Sequence, residues 1–113
     1  MIIYLISSEI NNNTLYKIGI TRQTVADRLK QLKTGNPATL TIINQFESKW
    51  AFKIETNLHI TYHNKNVSGS KEWFRLDERD INEFITKCEE LDKIFEMLSI
   101  NNTWIIDNSI LKR

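Results

Sequence analysis

The chain has 113 residues, of which 41% are hydrophobic, and this suits one compact domain with a single core. Its formal net charge of +1 excludes a uniformly basic nucleic-acid binder, so any contact with phosphate must come from a local patch. The single cysteine, Cys88, excludes an internal disulfide and a cysteine-based zinc site.

No apolar run approaches the length of a membrane span, and no signal peptide is visible. We therefore expect a soluble cytoplasmic protein that does not bind membranes. The abundance of Ile, Lys and Asn is typical of an AT-rich genome, such as that of a phage or a low-GC bacterium.

The first predicted element is a hairpin. Residues 1–7 are β-branched and aromatic, which predicts a buried strand, and residues 15–21 predict a second strand. The short Asn-rich turn at 9–14 makes the pair antiparallel.

A helix and a third strand follow. Thr24 is positioned to cap a helix that ends near Lys33, because Gly35 favours a helix end and Pro37 prevents continuation. The segment 39–48 alternates imperfectly and predicts a strand.

The C-terminal half is mostly helical. We expect a helix at 50–63, a polar and mobile loop at 64–71 and a short apolar edge element at 72–76. Asp77 then caps a long helix that ends near Leu98, and the tail breaks at its paired asparagines before a last apolar piece. The predicted fold class is α+β, with a small three-stranded antiparallel sheet flanked by helices.

Two cations stand next to positions that should be apolar. Lys17 interrupts the second strand, and Arg28 lies on the margin of the stripe formed by Val25, Leu29 and Leu32. Ordinary structural roles remain open: Lys17 on a half-solvated sheet face, and Arg28 covering apolar surface or meeting a carboxylate.

Tyr4 lies on the strand next to Lys17. A lysine near its hydroxyl would favour the phenolate and help the tyrosine act as a base. Tyr4 is otherwise a core aromatic with its hydroxyl at the rim. Gly19 permits a close backbone approach or a bulge at this point.

Glu55 and His59 are four residues apart on the second helix, so both side chains lie on one ridge. One carboxylate is enough to hold Mg²⁺, which keeps several waters, whereas two protein ligands make a poor zinc site. An ordinary helix-surface pair is the alternative interpretation. Glu72 follows the polar loop and is expected at the rim of a cleft, while Trp73 and Phe74 close the core.

These stretches, in this order, resemble the GIY-YIG endonuclease superfamily, and most of all its phage-associated branch, whose second motif is KIG. Ile2-Ile3-Tyr4 corresponds to GIY, and Lys17-Ile18-Gly19 to YIG. "ADRLKQLKTGNP" resembles the helix that carries the catalytic arginine, here Arg28. "IETNLH" resembles the helix with the metal-binding glutamate, and "KEWFRL" resembles the closing motif.

The resemblance implies a nuclease domain at 1–76 and a helical extension at 77–113. It implies hydrolysis of DNA with one divalent ion, Mg²⁺ or Mn²⁺, on Glu55. Tyr4 would be the base and Arg28 the phosphate ligand, with Lys17 tuning Tyr4 and His59 orienting Glu55 or a water. Possible accessory residues are Tyr16, Gly19 and Glu72.

A second hypothesis is a catalytically inactive protein of the same fold that binds nucleic acid or a protein partner, such as a phage accessory factor. The acidic segment "CEELDKIFEML" is compatible with either hypothesis, as a surface for a protein partner or a homodimer.

Overall fold

A computed structural model describes the backbone of residues 1–111 and the side chains of residues 1–100. One antiparallel sheet has the strand order β3-β1-β2-β4. The elements are β1 (Ile2–Ile10), β2 (Asn13–Thr21), α1 (Val25–Lys33), β3 (Thr39–Glu47), α2 (Ala51–Thr61), β4 (Trp73–Phe74), α3 (Glu78–Asn82) and α4 (Phe84–Leu111), with a 3-10 turn at His63–Lys65. The predicted α+β class is confirmed, and the edge element adds a fourth, two-residue strand to the three predicted ones.

The hairpin turn is shorter than predicted. Only Asn11 and Asn12 lie outside the ladder, with φ angles of 50° and 64°. Two successive residues with positive φ match the twist of the flanking strands, and asparagine tolerates this conformation better than most residues. The polar residues on either side therefore continue the two strands and leave no wide loop.

The sheet is covered on both faces. Ile3, Leu5 and Ile18 pack under α2 and α4, whereas Tyr4 and Ile6 pack under α1. Side chains alternate between faces along each strand, so β1 supplies both cores. This explains why its sequence is apolar without alternation.

A β-bulge explains the imperfect alternation of the third strand. The register between β1 and β3 shifts between Leu5 and Ile6, so Ile43 has no partner on β1. One extra residue moves every later side chain to the opposite face. Leu40 accordingly packs in the α1 core, and Phe46 packs in the α2 core.

The prediction of one unbroken helix from Asp77 is wrong, because Glu83 separates α3 from α4. Asp77 and Asp80 form a capping box at the start of α3, and Lys65 pairs with Asp80. The Lys65–Asp80 ion pair anchors α3 to the preceding turn. Phe84, the first residue of α4, packs in the core under α2 and α4.

The predicted break at Asn101–Asn102 is also wrong. The backbone of α4 remains helical to Leu111, since asparagine is only mildly unfavourable inside a helix. Lys112 and Arg113, at the end of the predicted tail, lie outside the described residues. Among the helices described, none is long and apolar enough to cross a membrane.

Candidate active site

The candidate site lies at the edge of β2 where β4 ends. β4 pairs with Tyr16 and Lys17 of β2. The next residue, Ile18, donates its N–H to the Glu72 carbonyl at 3.2 Å, and its own carbonyl accepts from His59 Nε2 at 2.8 Å. These two hydrogen bonds bring the segment before β4 and the His59 side chain of α2 to the same residue of β2, Ile18.

The ring of Tyr4 lies across the backbone of Gly19, its partner on the neighbouring strand. A Cβ atom at position 19 would stand 2.5 Å from the Tyr4 Cζ atom, a distance that real side chains do not reach. The predicted close approach at Gly19 is therefore confirmed. There is no bulge here, because the register between β1 and β2 is continuous.

Arg28 of α1 is the cation beside the Tyr4 hydroxyl. Burial raises the pKa of Tyr4, the hydrogen bond and positive charge of Arg28 lower it, and the charges of Glu72 and Glu55 raise it further. The net effect is a pKa above the usual value of 10.0. Arg28 Nη1 also donates to Gln31 Oε1 at 3.1 Å, which holds the guanidinium on this side of α1.

The structure places Lys17 with carboxylates and not with the Tyr4 hydroxyl. Its side chain is buried, forms an ion pair with Glu72 and lies 5.8 Å from the centre of the Trp73 ring. The expectation that Lys17 lowers the pKa of Tyr4 is therefore wrong. Lys17 pairs with Ile6 of β1 and with Trp73 of β4. Glu72 directly precedes Trp73, so the Lys17 ammonium group lies next to the Glu72 carboxylate and not next to the residues that pair with Gly19.

Glu55 faces the same cluster from α2. Burial raises its pKa above 4.5, the charge of Glu72 acts in the same direction, and His59 and Lys17 oppose both effects. His59 is one turn further along α2, as its spacing predicted. Its ring is fixed by the bond to Ile18 and by contact with Phe74, at 5.3 Å between ring centres.

Five predicted site residues from separate parts of the chain are thus linked, each to at least one other, by hydrogen bonds, an ion pair or charge effects: Tyr4 on β1, Lys17 on β2, Arg28 on α1, Glu55 on α2 and Glu72 before β4. His59 borders them. Tyr16 does not join them, because it lies on the opposite face of the sheet and packs against the core under α2 and α4.

Sequence reasoning missed two residues of this site. Gln31 accepts hydrogen bonds from both Arg28 and Gln23. Its position three residues after Arg28, on the same helix face, is a signal that could have identified it. Trp73 was expected only to close the core. The side chains of β4 alternate between the two faces of the sheet, so Trp73 lies beside Lys17 and Phe74 packs in the core under α2 and α4.

The donor set fits a magnesium-type ion better than zinc. Glu55 and Glu72 are close enough that the charge of Glu72 raises the pKa of Glu55. Carboxylate oxygens of this kind suit Mg²⁺ and Mn²⁺. Within the part of the chain whose side chains are described, no group of three or more His, Cys, Asp or Glu residues is placed to hold a metal. An ion here would keep much of its water shell.

Comparison with known protein families gives a match over most of the chain. The family model for the T5orf172 domain matches residues 1–89, a stretch that contains every residue of the candidate site. No curated protein and no solved structure shows significant similarity to the chain. The matched family is a phage domain family associated with nucleases, which agrees with the resemblance at that level. The chain belongs to the T5orf172 domain family.

Proposed function

We propose that this protein is a metal-dependent endonuclease of the GIY-YIG type that hydrolyses phosphodiester bonds in DNA. The observation that carries the proposal is that Arg28 is hydrogen-bonded to the Tyr4 hydroxyl while the charge of Glu55 acts on the same hydroxyl. These residues supply a proton acceptor, a phosphate ligand and an oxygen ligand for a cation. Family membership supports a role with nucleic acid.

Arg28 binds the phosphate in this mechanism. Its planar guanidinium donates to two phosphate oxygens at once and stabilises the charge that develops there. Gln31 limits the rotation of the guanidinium by accepting from Nη1. Removal of Arg28 should lower the cleavage rate by roughly 10²–10³, the cost of losing one such donor in other enzymes.

Tyr4 accepts the proton of the attacking water. Because its pKa is raised, the hydroxyl is protonated at neutral pH, and the rate should increase as the pH rises. Arg28 lies beside the hydroxyl and favours the phenolate. Glu55 would hold a divalent ion, which would supply Lewis-acid stabilisation of the charge that develops during phosphodiester cleavage.

Lys17 and Glu72 act as positioning residues. Lys17 is buried, so its ammonium group requires a carboxylate partner, and the ion pair ties β2 to the segment before β4. The pair thereby fixes where the Glu72 charge stands relative to Tyr4 and Glu55.

Cleavage of plasmid and branched DNA with Mg²⁺ or Mn²⁺ tests the proposal. Arg28→Ala and Glu55→Gln should abolish most metal-dependent cleavage. Lys30→Ala on the exposed side of α1 and Glu90→Gln on α4 are matched controls that should retain it. The assignment is wrong if the first two variants, folded by circular dichroism, cut as fast as the controls.

Binding to DNA without cleavage is the second candidate function. It is favoured by the small ligand set, since no cluster of three metal-binding side chains is present among the described residues. A wild-type protein that binds DNA but cuts no substrate with either metal would support this function over the first.

A further inference from the structure

A depression of about 350 Å³ adjoins the candidate active site. It is lined by His59, His63, Asn66, Ser70 and Lys71. His59 is shared with the active site, and Lys71 directly precedes Glu72. The depression therefore continues the site outward, past the end of β4.

The lining offers hydrogen-bond donors and positive charge, with no carboxylate. Lys71 is exposed and forms no ion pair with any residue whose side chain is described. Ser70 Oγ accepts from the N–H groups of Glu72 and Trp73, at 3.3 and 3.2 Å, which leaves its hydroxyl hydrogen available to donate. Donors of this kind suit the oxygens of a phosphate group.

The loop that forms the rim is tied to the sheet by hydrogen bonds. Val67 N–H donates to the Trp73 carbonyl at 2.9 Å, and the side-chain amide of Asn66 donates to the same oxygen at 3.1 Å. These bonds hold Ser70 and Lys71 against β4. The backbone of the rim is thus fixed before any ligand arrives, which lowers the entropy cost of binding.

The charge of the segment that forms the depression favours a polyanionic ligand. Residues 1–76 contain ten Lys and Arg against five Asp and Glu, whereas residues 77–113 contain five against nine. The overall charge of +1 is therefore the sum of a basic segment, residues 1–76, and an acidic segment, residues 77–113. The depression belongs to the basic segment.

We propose that this depression binds the phosphodiester backbone of the DNA strand on one side of the scissile phosphate, with Lys71 and His63 as its principal contacts. The inference rests on the proposed function for the nature of the ligand. It adds a subsite that positions the strand, so that one phosphate occupies the depression while its neighbour along the strand meets Arg28.

Binding in EDTA tests the subsite without cleavage. Fluorescence anisotropy with a labelled DNA duplex gives the affinity of the wild type, Lys71→Ala, His63→Ala and the control Lys30→Ala over a salt series. Lys71→Ala should weaken binding by roughly threefold to tenfold at low salt and reduce the salt slope by about 1, because one phosphate contact is lost. His63→Ala should weaken binding in the same direction, and Lys30→Ala should have a clearly smaller effect.

A second measurement locates the contact. A single uncharged methylphosphonate is moved along one strand of the duplex. The wild type should lose affinity when the substitution falls at one phosphate beside the cleavage position, and Lys71→Ala should be insensitive at that phosphate alone.

The outcomes separate the two proposals. DNA binding that depends on Lys71, together with no cleavage under any condition, would contradict the nuclease assignment and support the subsite. Lys71→Ala and His63→Ala variants that bind like the wild type overturn the subsite, as does an equal loss in Lys30→Ala, whether or not the protein cuts DNA.

Discussion

Gly19 makes room for the Tyr4 ring, which lies directly over its backbone. A methyl group at position 19 would overlap the ring, so the ring or the strand must move. Gly19→Ala should reduce the free energy of unfolding by about 1–3 kcal/mol, as overpacking of a core does. Urea denaturation measures this loss, and displacement of Tyr4 should lower cleavage as well.

The same substitution in a Tyr4→Ala background is the control. With the ring absent, alanine at position 19 should be neutral or stabilising by about 0.5–1 kcal/mol, because glycine is unfavourable inside a strand. An equal loss in both backgrounds would show that the ring does not cause the effect.

Glu55 illustrates a conflict between function and stability at a single residue. Its pKa is raised in the folded protein, so folding favours the protonated form, and ionisation at neutral pH opposes folding. Glu55→Gln should therefore stabilise the protein at pH 7, by about 0.5–1 kcal/mol, while abolishing metal-dependent cleavage.

The pH dependence checks the cause. Below the unfolded-state pKa both states carry a protonated Glu55, so wild type and Glu55→Gln should have similar stability. Their difference should grow as the pH rises from there through the raised folded-state pKa, and then stay constant. Urea titrations at several pH values measure it, and a difference that does not change with pH would contradict this explanation.

At the scale of elements, the start of α2 is held by the end of β3 and by α4. Ser48 is buried, its Oγ accepts from the Trp50 N–H at 2.9 Å, and its hydroxyl donates to Asp92. Trp50 Nε1 also donates to Glu96 at 2.8 Å. α4 therefore fixes the helix that carries Glu55 and His59.

Ser48→Ala should cost about 1–2 kcal/mol of stability, since two hydrogen bonds are lost and the Trp50 N–H loses its acceptor. Chemical denaturation measures the cost. Ser68→Ala, at an exposed loop serine, is the control and should stay within about 0.5 kcal/mol of the wild type. A similar value for both variants would argue against α4 as the anchor of α2.

At the scale of the whole molecule, charge is divided between a basic segment, residues 1–76, and an acidic segment, residues 77–113. A field of this kind orients a polyanion away from the acidic residues of α4 before contact. Neutralising two exposed acids of α4, Glu89→Gln with Glu90→Gln, should raise the association rate with DNA by about twofold at low salt.

Salt should remove that effect, because the screening length shortens to about 3 Å at 1 M. Stopped-flow association at several salt concentrations measures it. Lys93→Gln, on the same helix, changes the charge in the opposite sense and should slow association. A change confined to the dissociation rate would contradict a long-range effect and indicate direct contact with DNA.

Local patterns in the sequence were enough to predict the three long strands and the first two helices, and they indicated several candidate site residues. β-branched and aromatic runs predicted the strands, Thr24 predicted the start of α1, and its side chain indeed accepts from the Asp27 N–H. The spacing of Glu55 and His59 placed both on one side of α2. Such features depend on residues within one or two turns of each other, so the sequence contains them directly.

Tertiary structure decided which partners meet. Lys17 and Glu72 are 55 residues apart, and nothing in either local pattern identifies the other as its partner. The bulge at Ile43, the break at Glu83 and the exclusion of Tyr16 from the site also depend on how strands and helices pack. The sequence alone therefore determined the strands and the first two helices and indicated the candidate site residues, because these depend on local pattern; the packing of the sheet edge decided that Arg28, and not Lys17, is hydrogen-bonded to Tyr4.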